Sequence, residues 1–134
     1  MKKDPLKIQS HVILGILILQ YFLGMVANLF VQFPDTNNEK IQWQYAQGQW
    51  SVVTHMILGF LLLIGALVLL FRAVRRKEKN WIIAGSLGLF AILAAVGAGS
   101  EFIPTQQDIY SYIMAIAFIL AVGAYGWGIY KAKK

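Results

Sequence analysis

Four apolar runs occupy nearly all of this 134-residue chain, and each approaches the ~20 residues that a helix needs to cross about 30 Å of hydrocarbon. They run from about His11 to Val31, Ser51 to Phe71, Trp81 to Gly99 and Ile109 to Tyr130. Backbone groups inside a bilayer must be satisfied within the protein, so each run is expected to be a helix rather than an open strand. Charged residues make up 13% of the chain, about half the usual share of a soluble domain. The longest polar stretch, Pro34 to Gln49, is far short of the ~50 residues of a small domain. The chain therefore reads as one transmembrane domain over residues 1–134. Met1 to Lys7 is basic, but the apolar run after it has no small-residue cleavage site, so the first span is expected to be retained.

Short connections make consecutive spans antiparallel. The expected fold is all-α, an integral membrane four-helix bundle running up-down-up-down. Basic residues set its orientation. Eleven lysines and arginines, at positions 2, 3, 7, 72, 75, 76, 77, 79, 131, 133 and 134, fall on one side, and Lys40 alone falls on the other. Both termini and the 72–80 loop are accordingly placed in the cytoplasm, and the 32–50 and 100–108 loops outside a cell membrane. Asp35, Glu39, Glu101 and Asp108 against Lys40 leave the outer face at −3, while eleven bases against Asp4 and Glu78 leave the inner face at +9. That asymmetry suits an anionic leaflet and needs no nucleic acid to explain it. Trp50 and Tyr110 outside, and Trp81, Trp127 and Tyr130 inside, fall where aromatic anchors sit at membrane interfaces.

Small residues indicate which faces touch. Ala84, Gly88, Ala91, Ala95 and Ala98 recur every three or four residues in the third span, and Ala117, Ala121, Ala124 and Gly128 in the fourth. Such stripes let membrane helices approach closely. In the first span Gln20, Gly24 and Asn28 form a polar and small stripe at i, i+4 and i+8, expected to face the interior.

Two histidines open nearly identical phrases, HVILGILIL from His11 and HMILGFLLL from His55. His11 opens a span leaving the cytoplasm and His55 one entering from outside, so the expectation is that most of the membrane separates them and that no haem lies between them. His11 reads as a solvated helix start. His55 lies five residues inside Trp50, at a depth where a histidine points toward a partner or a wet cavity. It is the candidate metal or cofactor ligand, the alternative being a hydrogen bond to Thr54, to a backbone carbonyl or to headgroup water. Asn28, Glu101 and Ser111 reach the same outer level, so a polar pocket of Asn28, His55, Glu101 and Ser111, with Gln20 beside it, is expected there. His55 and Glu101 could hold a proton or a cation in it. Without cysteine there is no disulfide, thiolate metal site or Cys-x-x-Cys-His haem attachment. No nucleophile elbow, phosphate loop, His-Glu-x-x-His pair or dinucleotide fingerprint occurs, so the chain leans away from being an enzyme.

Over about 120 residues the order of features resembles one four-helix half of the heme A synthase family, cytochrome b-like bundles that hold haem between histidines of their second and fourth helices. Three phrases carry the resemblance: LQYFLG at 19–24, WSVVTH at 50–55 and MAIAF at 114–118. The resemblance implies His55 as an axial haem ligand. It departs at Ala117, where the fourth-helix ligand would fall, at Gln49, the nearest counterpart of a glutamate before the second-helix histidine, and in lacking the outer-loop cysteine pair. Bis-histidine ligation and the synthase reaction therefore do not carry over.

Three functional classes follow. The first is a small non-catalytic accessory subunit working through a membrane protein partner or as a homo-oligomer in the bilayer. The second is a haem or hydrophobic-cofactor protein using His55, with Asn28 and Ser111 lining the pocket. The third is a small ion-coupled transporter acting as a dimer, with the proton on Glu101 and His55. Glu101 lies at the boundary rather than at midplane, which counts against the third.

Overall fold

The computed structural model describes residues 4–132. Its order is α1 (Pro5–Phe30), α2 (Glu39–Gly48), α3 (Trp50–Arg76), α4 (Lys79–Thr105) and α5 (Asp108–Lys131), with no strand among the described residues. Four of these, α1, α3, α4 and α5, are long and apolar enough to cross a membrane. They form the expected up-down-up-down bundle. Around it α1 lies between α3 and α5, and α4 closes the ring against both.

Each spanning helix is longer than its apolar run, because hydropathy marks only the lipid-facing part while the hydrogen-bonded backbone continues beyond it. A side-chain cap at the start of α1 and left-handed residues at the ends of α3 and α4 mark three of the boundaries. Asp4 caps α1 by accepting from the Leu6 backbone N–H, with Pro5 at the first helical position, where the missing proline donor costs nothing. Lys77 ends α3 in the left-handed conformation, φ 56°, and its own N–H and that of Glu78 bond back to Val74 and Ala73, the paired closure of a Schellman-type turn. Gln106 ends α4 at φ 53° with a single bond from its N–H to the Phe102 carbonyl, the simpler left-handed closure. These two tight reversals hold α3, α4 and α5 antiparallel with almost no loop.

The segment expected to be an outer loop contains a further helix. Asn38 caps α2 by accepting from Lys40 and Ile41. Gln42 and Ala46, one turn apart, are its buried residues, and the helix rests on α3 and α4, with Ala46 beside Val52 and Ile103. A helix that buries a glutamine and an alanine shows no apolar stripe, which is why hydropathy alone misses it.

Both small-residue stripes are at the closest approach, that of α4 with α5. Ala84, Gly88, Ala91 and Ala98 are buried on α4, with Ala95 half-buried, and Ala117, Ala121, Ala124 and Gly128 are buried on α5. Two rings fill holes left by glycine. A Cβ at Gly88 would overlap the Tyr125 ring, and one at Gly128 would come within 2.7 Å of the Trp81 ring. Trp81 is only 2% exposed, so it is a core residue rather than the interfacial anchor expected from its position. Trp50, 70% exposed, and Tyr130 fit the anchor role. Large apolar side chains such as Val12, Phe22, Phe60, Phe71, Phe90 and Ile119 point outward along the spans, the arrangement of a bundle whose solvent is lipid.

Candidate functional site

The polar side chains of α1 tie this helix to its neighbours. Gln9 donates through Nε2 to the Gly65 carbonyl on α3 at 2.9 Å, and Ser10 through Oγ to the Tyr125 carbonyl on α5 at 3.4 Å. Gln20 donates through Nε2 to the His55 carbonyl at 2.9 Å, and His55 Nδ1 meets the Gln20 carbonyl at 3.1 Å. A carbonyl can only accept, so Nδ1 carries the proton. Each residue thus donates from its side chain to the other's backbone. Glycine makes this reciprocal clamp possible: a Cβ on Gly24 would stand 3.0 Å from His55 Cε1, and one on Gly59 3.2 Å from Gln20 Nε2. Gln20–Gly24 on α1 and His55–Gly59 on α3 are therefore complementary pairs. Gln20 Oε1 is buried with no hydrogen-bond partner among the described residues.

Of the residues expected to converge, the structure brings only Gln20 and His55 together. Asn28 is exposed. With Gln9 opposite Gly65 and Gln20 opposite His55, the antiparallel register places Asn28 level with the junction of α2 and α3, beyond the histidine. The stripe from Gln20 through Gly24 thus leaves the bundle before reaching Asn28. Glu101 has a suitable depth but is exposed, and Ser111 is half-buried on α5. No hydrogen bond links Asn28, Glu101 or Ser111 to His55.

His11 is exposed, and its Nδ1 lies 2.6 Å from the carbonyl of Lys7 in its own helix; because α1 begins at Pro5, it stands within the helix rather than at its start. Because His55 stands opposite Gln20, nine residues beyond His11, the histidines differ in depth by only about 13 Å. Less than half the hydrocarbon separates them, rather than most of it. The sequence estimate aligns the helix ends, whereas α1 runs ten residues past Gln20 to Phe30 and α3 begins five residues before His55.

For a cofactor held by His55, the proton on Nδ1 leaves Nε2 as the coordinating atom, with the Gln20 carbonyl orienting the ring as the outer partners of metal-bound histidines do. Ala117 on α5 is buried and offers no second ligand. The residues present do not fit a bis-histidine attachment. Among the described residues no three His, Cys, Asp or Glu side chains are grouped to hold a metal.

A second polar region, unread in the sequence, lies at the end of the bundle that carries α2. Residues 33–42 and the α4–α5 turn enclose an open cavity of about 530 Å³. Gln42, 2% exposed, braces it by donating through Nε2 to the carbonyls of Pro34 at 2.9 Å and Thr36 at 3.0 Å. The signal in the sequence is slight: Asp35 and Glu39 count there only toward the outer charge. Compared with known protein families, with curated proteins and with solved structures, the chain matches none of them.

Proposed function

We propose that this small polytopic membrane protein is a non-catalytic accessory subunit, a bundle shaped like one half of a heme A synthase that acts through its lipid-facing surface on a membrane protein partner. The observation that carries this reading is the use of the side-chain donors of α1, buried at Ser10 and half-buried at Gln9 and Gln20. Gln9, Ser10 and Gln20 each donate to a backbone carbonyl of another helix, so these side-chain donors serve helix packing, and the outward apolar faces are left to meet another molecule. The basic ends of the spans support a cell-membrane location with both termini cytoplasmic: among the described residues Lys7, Arg72, Arg75, Arg76, Lys77, Lys79 and Lys131 share that side. Native mass spectrometry of the tagged chain, extracted in mild detergent from its own membranes, tests the reading. A stoichiometric protein partner is expected.

One observation favours a second reading, a haem or other hydrophobic-cofactor protein. The proton on His55 Nδ1 is held by the Gln20 carbonyl, which in a neutral imidazole leaves Nε2 with a free lone pair. Haem, if bound, would supply redox chemistry, while this chain would supply one imidazole, its orientation and an apolar surround. The same experiment separates the readings: a mass increment of one haem on the chain, lost in His55→Ala, supports the second.

A further inference from the structure

We infer that the basic end of α3 holds the headgroup phosphate of an anionic phospholipid, on Arg72 and Arg75. Among the described residues only two acids, Asp4 and Glu78, stand with the bases of this end. A single base takes both: Arg76 Nη1 lies 3.4 Å from Asp4 Oδ1 and 3.5 Å from Glu78 Oε1. Arg72 and Arg75 make no ion pair among the described residues, so their charge is uncompensated. A second observation fixes one of them in place. Arg72 donates through Nη1 to Gln9 Oε1 at 3.0 Å, and Gln9 is itself anchored through Nε2 on the Gly65 carbonyl at 2.9 Å. A neutral amide thus holds the guanidinium without neutralising it, and leaves its other N–H groups for an anion. Arg75, the next base along α3, lies over Phe71 at 5.7 Å from the ring centroid.

The surface beside these arginines selects a lipid over a soluble anion. Ile64, Val68, Phe71, Arg72 and Arg75 stand at i, i+4, i+7, i+8 and i+11 along α3, so they share one strip of its surface. All of them are exposed. The strip is apolar along the span and cationic at its end, the same order as the acyl chain and phosphate of a phospholipid. Arginine's planar fork meets phosphate oxygens through parallel N–H···O bonds, and a basic cluster beside a membrane span attracts anionic headgroups. Lys77 and Lys79, both exposed, follow directly in the chain. Their charge repels the ammonium of a zwitterionic headgroup, so the strip fits an anionic lipid.

The test counts lipids retained by the full chain, by native mass spectrometry from mixed micelles containing phosphatidylglycerol or, separately, phosphatidylcholine at the same mole fraction. It compares the wild type with Arg72→Gln/Arg75→Gln, with Lys77→Gln/Lys79→Gln, which removes the same charge from outside the strip, and with Gln9→Glu, which sets a carboxylate beside Arg72. Circular dichroism and elution volume establish that each variant keeps its helices. The wild type is expected to retain one phosphatidylglycerol about ten-fold more tightly than phosphatidylcholine, and the arginine variant to lose about ten-fold in that affinity. The lysine variant should lose no more than about three-fold, and Gln9→Glu should bind several-fold more weakly because its own carboxylate neutralises Arg72. Equal retention of the two lipids by the wild type, or a loss in the lysine variant as large as in the arginine variant, would overturn the site and leave only diffuse attraction to a charged leaflet. Displacement of the lipid by inorganic phosphate added to the micelles would reassign the arginines to a soluble anion. Unchanged retention in a folded Gln9→Glu would overturn the positioning of Arg72 by Gln9.

Discussion

Replacing Gly88 by alanine sets a methyl group inside the Tyr125 ring, which is itself fully buried. Neither helix can retreat without opening the close α4–α5 seam, so Gly88→Ala should destabilise the bundle by about 1–3 kcal/mol, the range for overpacking a core. A methyl group added to Gly97 on the same helix would meet nothing within 4 Å. Gly97→Ala should therefore leave stability unchanged or raise it by up to ~1 kcal/mol through helix propensity. Thermal unfolding of both variants in one detergent checks the contrast. At the clamp, His55→Ala and Gln20→Ala each remove one interhelical hydrogen bond and leave the other's backbone acceptor in place. Each should cost about 1 kcal/mol, as polar contacts between membrane helices do, without loss of helix content. The glycines at the seam are legible in the sequence because their three-to-four-residue spacing is a direct consequence of helix geometry. The partner of His55 is not, because it depends on the axial stagger of α1 against α3, which no local pattern encodes. Asn28 misses the site for that same reason, and Glu101 because it lies on the outward face of α4.

At the scale of the element, the four spans are legible because lipid demands continuous apolar helices, while their ends lie outside the apolar runs, at the Asp4 cap of α1 and at the left-handed Lys77 and Gln106. α2 escapes detection because its buried face is Gln42 and Ala46 and its stability comes from docking and from Asn38. That residue satisfies the backbone N–H groups of Lys40 and Ile41. Asn38→Ala should cost α2 about 1 kcal/mol and speed amide exchange over residues 39–48, while exchange in the four spans stays unchanged. Equal exchange in the variant and the wild type would mean that docking on α3 and α4 alone holds the helix. The candidate site is legible only in its histidine and glutamine. The cavity beside α2 depends on how α2 folds over the α4–α5 turn, so its residues look in the sequence like ordinary charged loop.

For the whole molecule, the separation of basic from acidic ends predicts that a cysteine at position 36, introduced into a chain that has none, reacts with an impermeant thiol reagent applied outside intact cells. Labelling only from the cytoplasmic side would invert the topology. The same scale carries the functional account, since a bundle that uses its intramembrane polar groups to hold helices together has its surface left with which to act. Native mass spectrometry of the chain released from its own membranes tests that claim most directly, because one spectrum reports protein partners and non-covalent cofactors together. The account predicts a reproducible complex of fixed stoichiometry with a second membrane protein and no haem increment on the chain. A lone chain carrying one haem, lost when His55 becomes alanine, would contradict it and make the histidine a ligand.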